Sequence, residues 1–247
     1  MKYLILSDLH SNSEALTAVL RRVKRKKFDK VVVLGDFVGY AANPNKVIDL
    51  LHGLKHPKVY IRGNHDKVAS GIDSGENFNS VALAAARWTT AKLTPPNLRF
   101  IKQLPKGPLE VDNQFIICHG SPLDEDAYVF SDYDAYLIFR ESPGDVIFFG
   151  HSHIPSIFTL EPNGIRVEAI RGDMKRIHLE RGKRYLVNPG SIGQPRDRNI
   201  RSPFMIFDSE SRMIHFERVE YNLDRTREKI YRAGLPQMLG DRLLSGT

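Results

Sequence analysis

Short apolar runs recur along the first third of the chain, each followed by a polar or amphipathic stretch of helical period. Tyr3 to Leu6 and Val31 to Leu34 read as strands buried on both faces, because neither alternates apolar with polar residues. Between them, Glu14 to Arg25 places Leu16, Val19, Leu20 and Val23 on one helical face. Pro44 opens a second helix carrying Val47, Ile48 and Leu51, since its missing N–H is no loss at a first helical position. Val59 to Ile61 predicts a third strand, and the Ala-rich stretch Asn77 to Leu93 a helix broken at Pro95–Pro96. The second half is richer in strands, expected at 115–118, 146–149, 156–160, 165–170, 184–187, 204–207 and 214–219. Helical pattern returns at 223–232 and 237–244. Alternating βα units followed by a strand-rich half predict an α/β fold of two packed sheets with helices outside.

Composition narrows this only a little. A chain of 247 residues, 41% hydrophobic and 26% charged, has ordinary soluble composition, and one domain spanning 1–247 is expected. With Cys118 alone, no internal disulfide can form, which argues against a bridge-stapled secreted fold. The apolar start MKYLILSDLH is interrupted by Asp8 and His10, too short and too polar for a signal peptide or a membrane span. A cytoplasmic location is therefore expected, with no membrane partner. The net charge of +7 suits an anionic partner. Yet the densest basic run, Arg21 to Lys27, lies at a helix end, where cations complement the dipole. No stacking aromatics or known module accompany it, so nucleic acid is not an expected partner.

The chemistry lies where the strands end. Five apolar runs are followed at once by metal-ligand residue types: Asp8 and His10, Gly35-Asp36, Gly63-Asn64-His65-Asp66, His119-Gly120, and Gly150-His151-Ser152-His153. In open α/β sheets ligands bind just outside the carboxyl ends of strands, and the glycines permit sharp turns there. Carboxylates, an amide oxygen and imidazoles converging in one volume would suit Zn, Mn or Fe. Each residue alone has a plainer reading: Asp8 could cap a helix, Asp36 and Asn64 could form turns, and His119 could be a satisfied core histidine. His151 and His153, two apart, are expected on one face of a strand with Ser152 on the other. His52, His56, His178 and His215 read as surface residues, and Tyr128, Phe130 and Tyr133 either wall a pocket or belong to the core.

As an ordered set, Asp8-x-His10, Gly35-Asp36, Gly63-Asn64-His65-Asp66, His119 and Gly150-His151-Ser152-His153 resemble the calcineurin-like metallophosphoesterase signature. That resemblance implies a four-layer α/β/β/α sandwich of two mixed sheets flanked by helices. It implies that Asp8, His10 and His153 bind one metal ion, that Asn64, His119 and His151 bind another, and that Asp36 bridges both. The ions would be divalent or trivalent, drawn from Mn, Fe, Zn and Ni. His65 and Asp66 would be catalytic, His65 contacting the phosphate with Asn64 and protonating the leaving group, Asp66 orienting it. Two cations about 3.5–4 Å apart need a shared ligand, and a hydroxide held between them is aimed for in-line attack on phosphorus.

Gly39-Tyr40 with Asn43-Pro44, His119-Gly120-Ser121-Pro122, VNPGSIGQPRD at 187–197 and AGLPQMLGDRLLSG at 233–246 resemble one bacterial and archaeal branch of the family. Its members are described as phosphodiesterases, some hydrolysing diadenosine tetraphosphate. The function implied is a binuclear metal-dependent phosphodiesterase on a small, nucleotide-type phosphate ester. Arg196 and Arg198 suit a second phosphate or a base, since guanidinium makes planar bidentate contacts; Arg196 is the candidate substrate contact. The alternatives are a phosphomonoesterase or protein phosphatase on the same metals, and a non-catalytic scaffold on the same fold. An intact ligand set together with His65 favours the enzyme.

Overall fold

In the computed structural model, which describes all 247 residues, strand β1 (Lys2–Leu6) divides its side chains between two apolar clusters. Leu4 and Leu6 enter one, Tyr3 and Ile5 the other. Strand β2 (Lys30–Val33) divides the same way, Val31 and Val33 against Val32. Side chains alternate along a strand, so a continuous apolar run means that both faces are covered. One face meets helices α1 (Ser13–Val23) and α2 (Pro44–His52). The other meets a second sheet across a layer containing Phe115, Phe148, Phe207 and Phe216.

The first sheet runs in the order β3 (Lys58–Tyr60), β2, β1, β11 (Ser202–Asp208), β12 (Met213–Val219), β9 (Met174–His178). The second runs β4 (Leu109–Val111), β5 (Phe115–Ile117), β6 (Val146–Phe148), β10 (Arg184–Asn188), β7 (Ser156–Glu161), β8 (Gly164–Ala169). Each is mixed: β1–β2–β3 and β5–β6–β10 are parallel, and the remaining pairs antiparallel. Helix α6 (Asp132–Glu141) covers the outer face of the second sheet through Ala135, Ile138 and Phe139. The expected four-layer sandwich is thus observed.

Five elements were not legible in the apolar pattern, the first being β4, an edge strand of only three residues. Strand β9 is an edge strand, mostly exposed, so it has no buried run to betray it. Helix α3 (Asn64–Ala69) is a short helix that begins inside the Asn64-His65-Asp66 motif. Helix α6 is announced by a capping box between Ser131 and Asp134 instead of a strong apolar stripe. Pro95 and Pro96 end α4 (Ser80–Lys92) but also open α5 (Pro95–Lys102), because proline is at home in a first helical turn.

Phe148 is fully buried, with its ring 5.2 Å from Phe115 and 5.4 Å from Phe207. Phe148→Ala should destabilise the fold by about 3–5 kcal/mol. Chemical denaturation should show a lower midpoint at unchanged slope.

Candidate metal centre

Five strands deliver the candidate side chains. Asp8 and His10 follow β1, Asp36 follows β2, Asn64 follows β3, His119 follows β5, and His151 and His153 follow β6. Because β1–β2–β3 and β5–β6 are parallel within their sheets, these carboxyl ends lie side by side. Ligand atoms of Asp8, His10, Asp36 and His153 lie within 4.8 Å of one another, as do those of Asp36, His119 and His151. Asp36 belongs to both groups. Asn64 joins the second, its Oδ1 3.1 Å from Nε2 of His119.

The backbone here is unusual. Asp8, His10, Asp36, His151 and His153 all have left-handed φ, between 44° and 63°. Such a conformation costs a non-glycine residue about 1–2 kcal/mol, and it persists only where the surroundings hold it. It also corrects one expectation: β6 ends at Phe148, so His151 and His153 sit on a turn beyond the strand, not on its face.

Hydrogen bonds from outside aim the imidazoles. Nδ1 of His10, His119 and His153 faces the carbonyl oxygens of Val38 (3.1 Å), Leu34 (2.8 Å) and Gln194 (2.7 Å) respectively. A carbonyl only accepts, so each Nδ1 carries a proton, and Nε2 is the nitrogen whose lone pair, once free of a proton, points inward. Nε2 of His10 and His153 then lie 3.0 Å apart. Oδ2 of Asp36 is buried without a hydrogen-bond partner, facing Nε2 of His10 at 3.5 Å and of His119 at 3.4 Å. Converging lone pairs and an unpaired carboxylate oxygen are what cations in this volume would satisfy. The residues present therefore fit a binuclear site.

Electrostatics agree. Burial alone raises Asp8 and Asp36, but the adjacent imidazoles, His153 for Asp8 and His119 for Asp36, hold both below the usual carboxylate range. Burial works against a charged His119, yet Asp36 beside it raises it to about 10. Burial lowers His10 and His153, brings His65 to about 4 and His151 to about 3. The carboxylates demand a positive charge, and without a metal only a proton supplies it.

His65 lies at the edge of the centre, its ring 4.9 Å from His10, 4.3 Å from Tyr40 and 4.6 Å from Phe78. Its Nδ1 has no partner. Asp66 does not orient it as expected. The Asp66 carboxylate accepts instead from the backbone N–H groups of Phe37, Val38 and Gly63, tying the Asp36 turn to the Asn64 turn. A buried carboxylate at a helix start finds unpaired backbone donors nearer than any ring. Burial first, then the charge of Asp36, raise it to about 7.

Three residues of the 187–197 run hold the loops together. Asn188 donates to the Gly150 carbonyl and Ser152 Oγ, Ser191 donates to the Asp8 carbonyl, and the Gln194 carbonyl fixes His153. Arg196 is half-buried beside Tyr40, to whose hydroxyl it donates at 3.2 Å, whereas Arg198 is exposed. Tyr128 stacks on His151 at 4.0 Å and, with Tyr40 and Phe78, lines a cavity of about 180 Å³ that opens onto Asn64, His65 and His151. Tyr128 thus walls the pocket, while Tyr133 lies exposed on α6.

Gly63 makes the close approach possible: a Cβ there would sit 2.1 Å from Asp36 Oδ1 and 2.5 Å from its backbone nitrogen. Gly63→Ala should therefore push the Asp36 turn away. Elemental analysis of the purified variant should find fewer than two metal equivalents with the circular dichroism unchanged.

Residues 1–212 match the calcineurin-like phosphoesterase superfamily domain. The uncharacterized protein MJ0912 of Methanocaldococcus jannaschii is 38% identical, the match covering 98% of this chain and 97% of that one. Among solved structures, a metallophosphoesterase from Sphaerobacter thermophilus superposes with a TM-score of 0.86 at 32% identity, over 100% of both chains. The hypothetical protein PH1004 of Pyrococcus horikoshii shares the fold, with a TM-score of 0.80 at 21% identity over 100% of this chain and 98% of that one.

Proposed function

The chain belongs to the calcineurin-like phosphoesterase superfamily, and from that premise we propose that it is a phosphodiesterase for small, nucleotide-type phosphate esters. The superfamily hydrolyses phosphoesters with two divalent metals. The observation that carries the proposal is Asp36, common to two groups of ligand atoms. One cation would be held by Asp8, His10 and His153, the other by Asn64, His119 and His151, with Asp36 shared between them. When bound, such ions supply Lewis-acid charge to phosphoryl oxygens and make water acidic enough to attack phosphorus near neutral pH. An oxygen- and nitrogen-donor set of this kind suits manganese, iron, zinc or nickel.

The chain's own residues do the rest. Asn64 and His65 contact the phosphate, and His65 assists departure of the leaving oxygen. A neutral imidazole still presents one N–H, and the approaching anionic phosphate favours the protonated ring. Tyr40, Phe78 and Tyr128 give the adjoining cavity aromatic walls, with Asn77 and Asn79 among its polar lining. That suits a ring-bearing ester group, which supports a nucleotide-type substrate. Residues 1–247 act as one catalytic unit, since loops of both sheets feed the centre. No helix is long and apolar enough to cross a membrane, and the lone cysteine is buried and free, which supports a cytoplasmic enzyme.

Assays with bis-p-nitrophenyl phosphate, p-nitrophenyl phosphate and dinucleoside polyphosphates, each with Mn, Zn, Mg and Fe, test this. Metal-dependent hydrolysis with the higher kcat/KM on diesters is expected. Preference for the monoester would overturn the diester reading, and no hydrolysis with any metal would overturn the enzyme.

A further inference from the structure

Two open sheets leave four strand edges, at β3, β9, β4 and β8. An unpaired edge offers its backbone N–H and carbonyl groups to any further strand unless its side chains forbid it. β3 and β4 have three residues each, which limits what either could pair. β9 carries Lys175, Arg176 and His178 and no carboxylate, with Lys26 and His215 close to it. A second strand of that composition would bring cation to cation, so this edge is closed to its own copy. β8 is different.

β8 reads Gly164-Ile165-Arg166-Val167-Glu168-Ala169, with apolar and charged residues in alternation. β7 pairs with one side of it, Phe158 opposite Val167, and no strand lies on the other side. Ile165 packs against the apolar cluster that includes α6, and alternation puts Val167 and Ala169 on that same face. Val167 is nonetheless 45% exposed there. Tyr133 and Tyr136 of α6, also exposed, share a shallow cavity with Ile165. On the opposite face Arg166 reaches Glu161 at 3.2 Å and Glu168 at 3.4 Å, all three side chains open to water. Exposed pairs of this kind are weak, so exchanging them for similar pairs with another chain costs little.

The charges select a register. Two antiparallel copies of β8 that keep their apolar residues on one common face can be centred on Arg166, Val167 or Glu168. Centring on Arg166 sets that residue against its own copy, and centring on Glu168 does the same with carboxylates. Like charges directly opposite are destabilising. Centring on Val167 instead sets Arg166 opposite Glu168 of the second copy, twice by symmetry, and Ile165 opposite Ala169. We propose that β8 pairs antiparallel with β8 of a second copy of this chain about a twofold axis at Val167. The two second sheets then form one continuous sheet, and the partner covers the apolar strip along Val167. The contact is isologous and closes at two copies, so it makes a dimer and not a filament. It stands apart from the hydrolytic reading, because β8 supplies no residue to the metal centre or its cavity.

Charge reversal tests it on the full chain by sedimentation velocity across the micromolar range. The wild type should sediment as a dimer. Arg166→Glu sets carboxylate against carboxylate at both pairs, and Glu168→Arg sets guanidinium against guanidinium. Each should raise the dimer Kd roughly 10–100-fold. The double variant Arg166→Glu with Glu168→Arg restores opposite charges in the same register and should recover the dimer. All three change exposed side chains only, so circular dichroism should not move. Without any substitution, hydrogen exchange of the 164–169 amides should slow as protein concentration rises. A monomeric wild type, a dimer indifferent to both single reversals, or a double variant no more dimeric than the singles would overturn the pairing. So would exchange at 164–169 that is independent of concentration.

Discussion

Asp36→Asn should empty both metal positions together and abolish turnover. Two neighbouring cations repel, and the Asp36 carboxylate is the one group placed to offer negative charge to both, since it alone belongs to both ligand sets. The amide keeps the shape and can still accept the His65 N–H that Oδ1 now receives at 2.9 Å. It loses the charge. Removing residues that merely orient metal ligands weakens metal binding by roughly 10–100-fold, and loss of a shared ligand should exceed that for both ions. Asn64→Ala gives the contrast. It removes a single neutral oxygen from the His119–His151 side, so one equivalent should be lost and the other kept. Metal analysis after dialysis reads both, and equal losses in the two variants would remove Asp36 from its bridging role.

His65→Gln should leave both metals in place and lower activity according to the leaving group. His65 is outside both ligand sets yet lines the cavity that opens onto them. A ribose alkoxide departs poorly without a proton, and a positioned acid contributes about 10²–10⁴ in rate. Nitrophenolate leaves readily unaided. The variant should therefore lose that factor on a nucleoside ester and far less on a nitrophenyl ester of equal charge. Equal losses would leave His65 with phosphate binding alone, and loss of metal would make it structural. The same experiment bears on Asp66. Since its carboxylate is committed to the N–H groups of Phe37, Val38 and Gly63, Asp66→Asn should disturb the Asp36 and Asn64 turns instead of selectively impairing leaving-group departure.

Much of the centre was legible along the chain because its causes are local. A strand buried on both faces must be an apolar run, a ligand must be one of few residue types, and parallel strands present their carboxyl ends at one edge. Asp8, Asp36, Asn64, His119 and His151 announce themselves on those grounds, and the two-sheet architecture follows from the order of the runs. The rest depends on distance in sequence. That His151 and His153 lie on a left-handed turn is set by Asn188, which holds Gly150 and Ser152 from another strand. That Asp66 serves the backbone and not His65 depends on unpaired N–H groups brought from residues 37 and 38. The C-terminal segment reaches the loop after β10 only because Leu239 and Leu243 pack with Tyr40 and the Gly246 carbonyl accepts from the Arg198 N–H. Local pattern decides which element a residue joins and what chemistry it can offer. Which groups share a volume, and which are left without a partner there, is decided by long-range packing that no local period encodes.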